Sequence, residues 1–233
     1  MLLFNVVSRH SYIALLFFLL CQGVLGQNPT KQHVLPNDFY FLRDAGGRII
    51  DTMDLSYYKA IGVTQAWQRT TGNPKVLVGL SDARVDPLQK DFAGKTRVLR
   101  AVDFQNGHGM GVAAIAVAQG DNDFGIPGVC YDCGLVTTNY GNPNMEMLLE
   151  LADAGAKVIN CSWVSSIATK SGQEVINSLL ERGVVVVAGA GNQNWGVNSG
   201  QKKYYPASYD GVISVSSVMY QHHDWQKALK YEE

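Results

Sequence analysis

The sequence predicts an α/β fold, with a doubly wound, mostly parallel sheet and helices on both faces. Three observations carry that prediction. Short unbroken apolar runs, as at 76–80 and 184–187, have the pattern of strands buried on both faces. Between such runs lie segments of helical period, with Met147, Leu148 and Leu151 on one apolar stripe and Val175, Ile176, Leu179 and Leu180 on another. The two patterns alternate along the chain at the spacing of β-helix-β units, which call for parallel strands.

Taken in order, the first strand is 76–80 and the second candidate is 98–102. A helix of small residues follows at 111–118, where the absence of bulk permits close packing. The run 135–138 is the next strand, and a helix over 145–154 ends at Gly155, a residue suited to the left-handed turn after a helix. A strand returns at 157–160. Ser171-Gly172-Gln173-Glu174 has capping-box spacing and opens a helix that Gly183 closes. The strands 184–187 and 212–215 complete the series. Ahead of all this, residues 27–53 are a polar lead in which Asp44-Ala45-Gly46-Gly47 reads as a turn.

The 233 residues suffice for one substantial domain, and 46% hydrophobic against 17% charged content permits a sizeable core. A formal charge of −1 gives neither the basic footprint of a nucleic-acid binder nor a polybasic patch for a membrane surface. At the N-terminus, Arg9 and His10 precede an apolar run at 12–20 and a small-residue exit at Val24-Leu25-Gly26. That is the pattern of a cleaved secretory signal over residues 1–26, too short to span a bilayer comfortably, and it predicts a secreted chain with no membrane contact after cleavage. In an oxidising compartment Cys130 and Cys133 can close a small local disulfide; a redox pair or half a metal site is the weaker alternative, since no second Cys-x-x-Cys exists and no His is near in sequence. Cys161, inside an apolar run, reads as a small buried hydrophobe.

Sites in open α/β sheets lie beyond the carboxyl ends of the strands, and three polar residues fall there. Asp82 stands just past the first strand, where a carboxylate can orient an imidazole. His108 heads the small-residue helix in Asn106-Gly107-His108-Gly109-Met110-Gly111. Asn192 follows the strand 184–187 through Ala188-Gly189-Ala190-Gly191, a rigid mount for an amide that donates to a developing oxyanion. Each residue alone is commonplace in a turn or cap. Their order and context together are far more specific.

In that order and context the chain resembles the subtilisin-like serine peptidases, or subtilases, over roughly residues 54–220. Residues 78–86 are similar to the family's Asp motif, 108–113 to its His-Gly-Thr-His-Val-Ala, and 184–192 to its oxyanion-hole segment. The stretches 125–130, 158–162 and 205–215 resemble supporting segments in the right sequence. The resemblance implies that Asp82 orients His108, that His108 is general base and then general acid, and that Asn192 is the oxyanion donor. It also implies a peptide or protein substrate running along Ser162, Trp163 and Val164. No cofactor is required by such a site. Structural calcium is implied at Asp91 and at Asp121 in the loop 120–123, since hard oxygen ligands suit that ion.

Several positions depart from the family pattern. Ala83 and Arg84 stand where a hydroxyl residue and glycine are usual, Met110 and Gly111 replace Thr and the second His, and Trp163-Val164-Ser165-Ser166 replaces a Gly-rich stretch, which predicts a narrower groove. The family's nucleophile sits in Gly-Thr-Ser-Met-Ala-x-Pro, and no such motif occurs here; Ser199, Ser208, Ser214, Ser216 and Ser217 all lack its context, and no Gly-x-Ser-x-Gly substitutes for it. Residues 54–233 are therefore expected to be a C-terminally incomplete peptidase domain, inactive alone. The alternative is a non-catalytic, subtilase-like protein that binds peptides.

Overall fold

A computed structural model describes residues 36–38, 41–43, 49–52, 56–100, 107–138, 144–192 and 203–217. An antiparallel pair, β1 (Phe41–Arg43) and β2 (Ile49–Thr52), comes first. The expected turn at 44–47 lies outside the described residues, as do the signal segment 1–26 and the part of the strand expected at 98–102 that lies beyond Arg100; the strand itself runs earlier, over Thr96–Val98. Two short helices follow, α1 (Ser56–Ala60) and α2 (Val63–Trp67). Their aromatic faces close around Tyr131: Tyr58 Oη donates to Pro127 O at 2.6 Å and Trp67 Nε1 to Val129 O at 2.9 Å, which satisfies polar tips inside an apolar cluster.

The main sheet contains β3 (Leu77–Ser81), β4 (Thr96–Val98), β5 (Gly134–Thr137), β6 (Ala156–Cys161), β7 (Val185–Gly189) and β8 (Ile213–Val215). They pair all-parallel in the order β4-β5-β3-β6-β7-β8. From β3 the chain passes to the edge strand β4, returns through β5 beside β3, and then runs outward through β6, β7 and β8 to the other edge. This is the doubly wound sheet the alternating pattern predicted. Among the described residues, three of its five crossovers run through helices: α3 (His108–Val117), α4 (Glu146–Asp153) and α5 (Lys170–Glu181).

Alternation along the strands sorts the core into two layers. Val136, Ile159 and Val186 face α4 and α5, joining Leu148, Leu151, Ile176 and Leu179. Leu80 and Leu135 face α3, joining Ala113 and Val117. Gly79 allows the first layer to close: a Cβ there would lie 3.0 Å from both Ala156 Cβ and Ile159 Cγ1. At the β8 edge all three residues are exposed, Ile213 at 39% and Val215 at 49%.

The start of α5 corrects the expected capping box. Thr169, in extended conformation, is the N-cap, and its Oγ1 accepts from Gly172 N–H at 3.0 Å. Ser171 already lies in the first turn, so Glu174 has no cap to answer. The lead segment also departs from a plain linker, because Asn37 and Asp38 hydrogen-bond into the loop 121–124 more than eighty residues later.

Candidate active site

Parallel strands align their carboxyl ends, so loops leaving β3, β6 and β7 emerge at one edge of the sheet. Asp82 leaves β3 there, Ser162 leaves β6 and Asn192 follows β7. His108 is delivered to the same edge as the first residue of α3, after Gly107 at φ 69°.

Asp82 and His108 meet. Asp82 Oδ1 lies 2.7 Å from His108 Nδ1, with the aspartate side chain 4% and the imidazole 52% exposed. Beside a carboxylate oxygen, which accepts, Nδ1 is the ring nitrogen placed to donate, and Nε2 is left on the other side of the ring. The backbone N–H of Ala83 donates to the same Oδ1 at 2.6 Å. Oδ2 is buried with no hydrogen-bond partner.

Asn192 is exposed beyond Gly191, whose φ of 105° turns the chain out of β7. Two strand spacings separate the ends of β3 and β7, roughly 10 Å across the sheet, so the amide stands on the same edge as the dyad without touching Asp82. Between them, Ser162 Oγ accepts from Asn160 Nδ2 at 2.9 Å, and Trp163 Nε1 donates to Ser81 Oγ at 3.1 Å while its ring packs on the α4–α5 core. Val164 is partly buried, and Ser165 then pairs with Tyr205 through two backbone bonds.

A second polar cluster surrounds Asp91, away from the dyad. Asp91 is 3% exposed, and burial pushes its carboxyl above the ordinary range; the side chains of Asn122 and Gln89 counter this, while the charge of Asp38 adds to it. Asn122 Nδ2 donates to Asp91 Oδ1 at 2.8 Å, and Asn122 Oδ1 is buried without a partner. Asp38, fully buried, accepts from the N–H groups of Asp121 and of Asn122. Asp121 turns its own Oδ1 to Asn37 N–H at 3.0 Å, so Asn122 and not Asp121 is the loop residue that reaches Asp91. No trio of His, Cys, Asp or Glu converges among the described residues. Two buried carboxylates beside an orphaned amide oxygen are nonetheless a hard-oxygen donor set that fits calcium. Asp38 escaped the sequence reading because nothing local marks it: its partners come from a loop far along the chain.

Cys130 and Cys133 are joined as a disulfide, at the start of β5 and so at the opposite end of the sheet from the dyad. Cys161 is a free thiol at 0% exposure, pushed far above its ordinary pKa by burial and further by the charge of Asp82.

The profile of the subtilase family, Peptidase_S8, matches residues 74–225. The chain is 30% identical over 214 residues to a thermophilic serine proteinase of Bacillus sp. (strain AK1), covering 83% of this chain and 51% of that protein. It is 26% identical to the minor extracellular protease Epr of Bacillus subtilis (strain 168), covering 78% of this chain and 29% of Epr. The chain thus spans about half the length of the first relative and less of the second. Among solved structures, the prenylagaramide maturation protease PagA superposes with a TM-score of 0.54 at 23% identity, over 66% of this chain and 57% of PagA, a likeness of fold.

Proposed function

The chain belongs to the subtilase family, and from that premise we propose that it supplies the acid–base part of a secreted serine endopeptidase acting on peptides or proteins. The observation that carries this reading is the 2.7 Å contact between a buried Asp82 and a half-exposed His108. In the reaction His108 takes the proton of an attacking serine hydroxyl and later returns it to the leaving amine. Asp82 holds the imidazole and balances its positive charge. Asn192 donates to the tetrahedral oxyanion, a role worth about 2.7–4 kcal/mol where it has been measured, in a subtilisin. The serine in this reading comes from sequence outside these 233 residues. Secretion rests on the signal pattern of residues 1–26.

Calcium belongs to the same proposal as a structural ion, held by Asp38, Asp91 and Asn122 and taking no part in hydrolysis. Peptide binding without hydrolysis is the second reading, favoured by the segment 162–164, whose backbone pairs with no other strand among the described residues.

Capture with a serine-directed fluorophosphonate from the native source, followed by peptide mapping, tests the peptidase reading. The expected product is a labelled polypeptide that contains this sequence, while the 233-residue chain alone stays unlabelled. A label on any serine of the chain, or native protein that never labels, refutes the assignment. In the latter case saturable binding of an extended peptide to the folded chain supports the second reading.

A further inference from the structure

We infer that Gly109 and Met110 are positioning residues, which hold the His108 ring on Asp82 by fastening the first turn of α3 to the loop that carries the aspartate. This rests on the reading of Asp82 and His108 as the acid–base pair, and it concerns what keeps them together.

The pair needs such a fastening because the aspartate is under-held. Asp82 Oδ1 accepts both Ala83 N–H and His108 Nδ1, whereas Oδ2, buried, accepts nothing. One oxygen then serves as a pivot, and side-chain bonds alone do not fix the carboxylate plane against the ring. The alignment passes instead to the backbone on either side, the loop 82–86 and the start of α3.

Two contacts join these elements. At Gly109 the helix rides directly on the loop: a Cβ there would lie 2.0 Å from Ala83 O and 2.6 Å from its carbonyl carbon. Real Cβ atoms do not approach a backbone so closely, so any larger residue displaces α3 from the loop, and His108 is its neighbour in sequence. One residue on, Met110 Sδ accepts the backbone N–H of Asp86 at 3.2 Å. The thioether thereby ties the far end of the loop to the same helical turn, and it does so as a weak acceptor, soft enough to pack in the apolar cluster under α3. Loop and helix are pinned at both ends of the segment 83–86, with Val85 fully buried between the pins.

The test reads the Asp82–His108 bond itself by proton NMR of the folded 233-residue chain, and so stands apart from whether the protein hydrolyses peptides. A low-field Nδ1–H resonance, assigned by its loss in His108→Gln, is the probe. Met110→Leu keeps the volume and removes the acceptor, and its Nδ1 proton is expected to exchange with water at least about five-fold faster, the factor of one lost hydrogen bond. Gly109→Ala is expected to abolish the resonance. Val117→Ala, which opens a cavity at the far end of the same helix, is the control for general loss of stability and is expected to leave the resonance in place. If Gly109→Ala fails to fold, Met110→Leu decides alone. Wild-type exchange in Met110→Leu, or loss of the resonance in Val117→Ala as well, overturns the inference.

Discussion

Replacing Asp91 by asparagine separates the cost of a buried charge from its use. In the calcium-free chain the Asp91 carboxyl titrates above its ordinary range because burial opposes ionisation. The folded state therefore holds this proton more tightly than the unfolded state does. The penalty is absent where both states are protonated, grows as pH rises from about 4 through the folded pKa, and is complete above it. Stability without calcium falls with pH across that window, and Asp91→Asn removes the fall. A bound cation reverses the sign by making the carboxylate the preferred form. Calcium at a hundred times its dissociation constant adds about 2.7 kcal/mol. For a chain of this size that corresponds to about 5–10 °C in Tm. Thermal unfolding of wild type and Asp91→Asn, with calcium and with chelator, is the measurement. Wild type is expected to gain those degrees, and the variant is expected to gain none and to match or exceed wild type in chelator. A wild type indifferent to calcium, or a variant that responds equally, refutes the reasoning.

Two further outcomes concern the scaffold. Thr169→Ala removes the side-chain acceptor of the Gly172 N–H at the start of α5 and is expected to cost about 1 kcal/mol in urea unfolding, with Thr169→Ser restoring most of it. Burial pushes the Lys95 ammonium down to about 8 against the pull of Asp132 and Asp91. The folded state then releases this proton near pH 8 while the unfolded chain keeps it to about 10.4, so stability is expected to rise with pH between those values. Lys95→Met is expected to flatten that rise, and an unchanged slope counts against it.

The strands of the main sheet, and the place of Asp82 directly after one of them, were legible because an unbroken apolar run announces itself locally, whereas β1 and β2 were read only as a polar lead and His108 only through motif order and resemblance. Runs such as Val184-Val185-Val186-Val187 need cover on both faces, and a polar residue directly after one must sit at the sheet's carboxyl edge. Features fixed by distant partners were not legible. Asp38 gains its role only from amides of residues 121, 122 and 124, and α1 and α2 are too short for their period to register. The cap of α5 was misplaced by two residues because Ser171 and Thr169 are equally good caps in sequence, and backbone conformation chooses between them.

The strand order also grades how the site comes apart. Asp82 follows β3, a strand with neighbours on both sides, whereas Asn192 follows β7, whose outer neighbour is the three-residue β8. Partial opening from that margin is expected to release Asn192 while the Asp82 carboxylate and the His108 imidazole stay joined. Hydrogen exchange would then divide the candidate site into two cooperative units. The half that holds Asp82 and His108 is expected to outlast the half that holds Asn192.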